Sequence, residues 1–158
     1  MDTIQARKLA NENLRVWGLT ERGWTFDFDS AKSRFGLCSP KRKKIFLSFE
    51  LTKLNDIADV LDTILHEIAH ALVREFVGRK HGHDNIWKAY CLLVGARPYS
   101  CYNSDDIAQP APKFIGKCAQ GHTFTRFRKP EGTHSCSICH KGYDERYLIT
   151  WTPYGKNN

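Results

Sequence analysis

The sequence runs to 158 residues and 18.2 kDa, and 24 Lys+Arg against 17 Asp+Glu leave a formal charge of +7. That length suits one ordinary domain, or a domain of about 110 residues with a small metal-stapled module behind it. At 41% hydrophobic and 12% aromatic the chain can bury a core, which excludes wholesale disorder, and no apolar run reaches the roughly 20 residues of a bilayer span.

Residues 1–7 lack the apolar segment of a secretory signal, so the expected setting is intracellular and reducing. In that setting six cysteines are expected as metal ligands or buried thiols rather than disulfides. Residues 2–17 predict a helix, because Ala6, Ala10, Leu14 and Trp17 recur at helical spacing and Gly18 follows as a stop. Residues 24–29 alternate Trp24, Phe26 and Phe28 with polar side chains, the period of a half-buried strand. Residues 34–38 and 45–49 flank the basic run Lys41-Arg42-Lys43-Lys44 and predict a hairpin whose tip reads as a solvated turn, with a nucleic-acid contact as the alternative. The strongest helix covers residues 56–77, capped by Asn55 or Asp56 and followed by Gly78. A second one covers residues 85–94, with Asp84 as cap and Gly95 as stop. Residues 97–112 lose periodicity, collect Pro98, Pro110 and Pro112, and read as a linker. The predicted organisation is a domain over 1–96, a linker over 97–112 and a small module over 113–158. The module carries 8 of the basic and 3 of the acidic side chains, a charge of +5, leaving +2 for residues 1–112. A basic module of this kind suits a polyanionic partner.

Within the long helix stands His66-Glu67-Ile68-Ala69-His70. Positions i and i+4 lie about 40° apart on a helix, so both imidazoles can reach one ion. Glu67 sits about 60° from His70, close enough to touch a metal-activated water without coordinating. Ile57, Leu61, Ile64, Ile68 and Leu72 form a core stripe, while Leu65, Ala69, Val73 and Phe76 extend the apolar surface. The helix is therefore expected to be buried on most of its circumference, and buried imidazoles need partners. A catalytic zinc takes three protein ligands and an open position. Val73 and Phe76 stand where a metzincin has Gly and His, and Glu75 points away from the pair. His83 is the best third ligand and His81 the rival; His81 is otherwise a supporting or oxyanion-stabilising group, or a surface side chain.

Cys118-x3-His122 and Cys136-x2-Cys139 read as two knuckles of a structural zinc site, with His134 and His140 as alternatives to His122. Cys38, Cys91 and Cys101 read as structural thiols. Between the knuckles, Phe124, Arg126, Phe127, Arg128 and Lys129 interleave aromatic and basic side chains. With Lys113 and Lys117 they suit stacking and phosphate contact on single-stranded nucleic acid, against the reading in which the aromatics cover the zinc core.

Taken together, the chain resembles the SprT-like (Spartan-related) zinc metalloprotease family with a C-terminal zinc ribbon. The likeness rests on His66-Glu67-Ile68-Ala69-His70 and on His83-Asp84-Asn85-Ile86-Trp87, and the 35–48 hairpin and the ribbon look familial too. An aromatic four residues after the third ligand selects His83, and Asp84 stands where the family usually has Gly. The resemblance implies an α+β fold: a compact zincin-like domain, helices packed on a small, mainly antiparallel sheet, then the ribbon. It implies two zinc ions, one catalytic on His66, His70 and His83 with Glu67 as base, one structural on Cys118, His122, Cys136 and Cys139. It implies an endopeptidase acting on DNA-bound or DNA-crosslinked proteins and stimulated by DNA. The expected partners are single-stranded or junction DNA and DNA-bound proteins, no membrane partner is expected, and a monomer is the default expectation. A substrate strand is expected to pair along residues 44–49 as a sheet edge. The competing expectation is a non-proteolytic nucleic-acid-binding accessory protein with structural zinc sites, which would have no use for Glu67.

Overall fold

A computed structural model describes residues 1–79, 81–99 and 107–155 of the chain. Two compact units emerge, Met1–Pro110 and Ala111–Asn158. Cys101 lies outside the described residues, as do Ser100, Asn103 and Ser104 of the expected linker.

The first unit opens with α1 (Thr3–Val16), capped where the Asp2 side chain accepts from the Gln5 N–H, with Ala6, Ala10 and Leu14 as its buried stripe. Strands β1 (Thr25–Asp29), β2 (Gly36–Ser39) and β3 (Lys44–Ser48) follow, with Pro40–Arg42 wound as a short 3-10 turn between β2 and β3. β2 and β3 form the predicted antiparallel hairpin, Gly36 opposite Leu47. β1 runs parallel to β3, Phe26 opposite Ile45, so the strand order is β1-β3-β2. Among the described residues this is the one parallel pairing; the others are antiparallel.

That order corrects the expected substrate edge. β3 is the central strand, its backbone groups engaged on both sides, so residues 44–48 have no free edge to offer. β1 and β2 are the edge strands, and β2 is the one that lines the cleft beside Glu67. Nor does the strand continue to Phe49. The Ser48 side chain accepts from the Leu51 N–H at 3.1 Å and starts a short helix, α2 (Phe49–Leu54), that hydrophobic periodicity did not signal.

Asp56, whose side chain accepts from the Asp59 N–H, caps the long helix α3 (Ile57–Phe76). Its middle is buried as expected, whereas Ile57 and Phe76 at its ends are exposed. Glu75 indeed turns away from the histidines: it accepts from Trp24 Nε1 at 3.0 Å and pairs with Arg22 and Lys43. Helix α4 (Asn85–Val94) ends at Gly95, whose φ of 83° is the left-handed cap that glycine adopts without strain. The expected linker is fastened at both ends of its described part. Arg97 pairs with Asp59 and Asp62, while Ile107 is buried in the core and Ala108 exchanges hydrogen bonds with the Asn55 side chain.

The second unit is a sheet of β4 (Phe114–Cys118), β5 (Thr123–Arg126) and β6 (Ile149–Pro153), with β4 central and both pairings antiparallel. Gly116 lies opposite Phe124 and Trp151, and a Cβ there would stand 2.6 Å from Ile149 Cγ2 and 2.8 Å from Trp151 Cε3. Gly116→Ala is therefore expected to cost the unit about 1–3 kcal/mol by overpacking. A zinc-competition titration of the variant should show weakened retention of one ion, and an unchanged midpoint would contradict this.

Candidate metal centres

Three imidazoles meet at one end of the first unit. His66 and His70 are one helical turn apart on α3, and the loop from α3 to α4 brings His83 against them. His83 Nε2 stands 3.2 Å from His70 Nε2 and 3.3 Å from His66 Nε2. Ligands about 2.0–2.1 Å from a tetrahedral ion are about 3.3 Å apart, so these separations match a zinc donor set. The charge state fits as well. Burial holds His66 down to about 4 and His70 down to about 3, and it lowers His83, so the rings are neutral donors.

Trp87 is the floor of this site. It is fully buried on α4, and its ring centroid lies 4.7 Å from His66, 5.1 Å from His70 and 4.4 Å from His83. Its register comes from Asp84, whose Oδ1 accepts from the N–H groups of Ile86 and Trp87. Asp84 has φ −78° and ψ −177°, a conformation open to any residue, so the loop does not need a glycine at that position. His81 is set back from the three ligands, with its Nδ1 2.6 Å from Asp84 Oδ2.

Glu67 shares the site without joining the donor set. Its carboxyl is buried, which pushes it up to about 8 although the Cys38 N–H and the Arg34 guanidinium favour the ionised form. Gly36 makes room for it, since a Cβ at that position would lie 2.6 Å from Glu67 Oε1. A glycine inside a strand is a signal of close approach, and Gly36 was legible in that sense. A cleft of about 640 Å³ opens over Glu67 and the three histidines, walled on one side by Gly36, Leu37 and Cys38 of β2.

These shifts give a pH dependence for metal-stripped protein. The Glu67 carboxyl ionises near 4.5 when unfolded and near 8 when folded, so its contribution to stability is full below 4.5 and lost as pH rises through 8. His66 and His70 work in the opposite sense: their contribution is full above 6.5 and fades as pH falls toward 4 and 3. Between pH 6.5 and 8 the melting temperature of chelator-treated protein should thus fall, and Glu67→Gln should flatten that slope. Circular dichroism melts of both proteins check it.

In the second unit, Cys118, His122, Cys136 and Cys139 converge, every donor atom within 4.8 Å of the others. Cys118 Sγ lies 3.9 Å from Cys139 Sγ, while His122 Nδ1 lies 3.6 Å from Cys118, 3.5 Å from Cys136 and 3.2 Å from Cys139. Zinc–sulfur and zinc–nitrogen bonds set tetrahedral edges of about 3.8 Å between sulfurs and about 3.6 Å between sulfur and nitrogen. Burial and the neighbouring sulfurs push Cys139 up to about 12, a conflict that a shared cation relieves. His122 is thus the fourth member, and His134 and His140 stand outside the set.

The side chains expected on nucleic acid are divided by this sheet. Phe124 and Arg126 share the face of Gly116 and Trp151, with the Arg126 guanidinium 5.7 Å from the Trp151 ring. Lys117 faces the other way, level with Thr123 and Thr150. Phe127, Arg128 and Lys129 follow β5, and Lys113 precedes β4.

Comparison with known proteins bears on the first unit. The model of the SprT-like family matches residues 5–105, well over half of the chain. The chain belongs to the SprT-like family. That family relates it to metallopeptidases, and the match contains all three histidines, Glu67 and Trp87. No curated protein matches the chain. In this SprT-like protein the ribbon lies beyond the family match and rests on its own donor geometry. Among the described residues no helix is long and apolar enough to cross a membrane.

Proposed function

We propose that the protein is a zinc-dependent endopeptidase acting on DNA-bound or DNA-crosslinked proteins, with the basic ribbon as its DNA-directed module. The observation that carries the reading is the convergence of three neutral imidazoles beside a buried carboxylate in an open cleft. His66, His70 and His83 would hold a zinc ion, which would supply Lewis acidity toward a carbonyl and lower the pKa of water toward neutrality. Glu67 is the general base. Its raised pKa suits it to take a proton from the attacking water and return it to the leaving amine nitrogen. The Cys38 N–H orients the carboxylate for both transfers. A substrate strand added along β2 would lie beside Glu67 and would be held through main-chain groups, with little demand on its sequence. The charge of +5 on residues 113–158 supports a phosphate-rich partner for the ribbon.

The test compares wild type with Glu67→Gln on a DNA-bound protein, with and without single-stranded DNA. Wild type should cleave faster in the presence of DNA, and Glu67→Gln should lose about 10²–10⁴-fold in rate. Equal cleavage by the two proteins would sink the protease reading. Cleavage indifferent to DNA would remove the DNA-directed half.

A further inference from the structure

The loop between α3 and α4 contains a hydrogen-bond relay that zinc binding does not use. Arg79 Nε donates to His81 Nε2 at 3.3 Å, and His81 Nδ1 stands 2.6 Å from Asp84 Oδ2. An arginine Nε–H can only donate, so His81 Nε2 is the acceptor and the ring proton sits on Nδ1, facing the Asp84 carboxylate. The His81 side chain is only 6% exposed, and Asp84 is itself tied to the first turn of α4. The relay thus runs from the helix that supports Trp87 to a guanidinium on the wall of the cleft.

Its outcome is a pre-positioned arginine. Anchoring through Nε leaves both Nη groups for another partner, and among the described residues no hydrogen bond or ion pair engages them. Lys41 and Arg74 line the same cleft, and among the described residues lining it Glu67, buried beside the histidines, is the only carboxylate. A long cationic side chain ordinarily loses rotamer freedom when it grips a ligand; here the hydrogen bond to His81 takes part of that loss in the free protein.

We propose that Arg79 is a specificity-determining residue that grips an Asp or Glu side chain of the peptide substrate, and that His81 and Asp84 are positioning residues that hold it. A planar fork with two free Nη groups matches a carboxylate in bidentate fashion, and the one acidic side chain among the described residues of the cleft wall, Glu67, is held by the Cys38 N–H. The preference is modest because Arg79 is exposed: about 3–10-fold for Glu over Gln at one substrate position. The proposal rests on the endopeptidase reading for its catalytic consequence, but the grip itself can be measured without turnover.

The experiment uses the full zinc-loaded chain and matched peptides carrying Glu or Gln at each position in turn. The readout is the Glu/Gln ratio of kcat/KM, together with the ratio of Kd on Glu67→Gln protein, and zinc per chain verifies folding. At one position the wild-type ratio should reach about 3–10 and Arg79→Gln should bring it to about 1. Arg79→Glu should turn the preference at that position toward Lys. His81→Leu should lower the ratio while Arg79 is still present, with the change carried in KM; a merely structural role would lower kcat for every peptide alike. A wild-type ratio of 1 at every position, or a ratio that survives Arg79→Gln, overturns the proposal. So does an Arg79→Gln variant that keeps the ratio and instead loses affinity for single-stranded DNA, since the partner would then be phosphate. If no peptide is cleaved the protease reading fails, and the Kd ratio still decides the role of Arg79.

Discussion

Gly36→Ala is expected to disable hydrolysis while both zinc ions stay bound. The added Cβ would lie 2.6 Å from Glu67 Oε1 and 2.8 Å from both Glu67 Cγ and Thr63 Cγ2. Thr63 cannot swing aside cheaply, being buried with its hydroxyl donating to the Asp59 carbonyl at 2.8 Å. Either β2 lifts off α3 or the Glu67 side chain shifts, and both break the register between the Cys38 N–H and the carboxylate. Overpacking of this kind costs about 1–3 kcal/mol in stability. Misplacing a reacting group by about 1 Å costs about 10²-fold in rate. The three atoms nearest the added Cβ belong to Glu67 and Thr63 and not to any of the three imidazoles, so metal content should hold. Zinc per chain and kcat/KM measured on the same preparation check the result; wild-type turnover in Gly36→Ala would show that Glu67 does not need its present position.

Trp87→Ala should have the largest effect on stability, about 3–5 kcal/mol for truncating a fully buried large aromatic. It should also reduce zinc from two ions per chain to one. Trp87 touches all three imidazoles, so its removal opens a cavity under each donor at once, and His83, on a loop rather than a helix, has the least else to hold it. The ribbon ion, on separate ligands, should remain. Trp87→Phe keeps a ring in the same place and should recover most of the metal. Thermal melts and metal analysis of the two variants give the comparison, and two ions retained in Trp87→Ala would remove Trp87 from the support of the site.

Much of the fold was legible because its determinants are local. α1, α3 and α4 carry apolar residues at helical spacing between a capping Asp and a stop, and they formed within a residue or two of the predicted bounds. α2 was hidden: with six residues it has no room for a period, and its one mark was Ser48 poised to cap it. The order of the first sheet was also hidden. Hydrophobic alternation places a strand but does not say which neighbours it pairs with, so the central position of β3 and the free edge of β2 emerged only from the fold. The same limit applied to the residues expected on nucleic acid: Phe124 and Arg126 of β5 share one face of the ribbon sheet, whereas Lys117 of β4 lies on the other.

The chain forms two compact units, Met1–Pro110 and Ala111–Asn158, and its surplus positive charge is concentrated in residues 113–158. By itself the sequence determined the chemistry of both donor sets. His66 and His70 are one helical turn apart, and Cys136 and Cys139 are one tight turn apart; spacings that short are dictated by covalent geometry. Tertiary structure decided what lies between distant segments: how closely His83, already the preferred third ligand, stands to the pair, that Gly36 leaves space for Glu67, and that Arg79 is held over the cleft. Those relations depend on loop closure and on packing against Trp87, free energies shared by residues far apart in the chain, which no local spacing encodes.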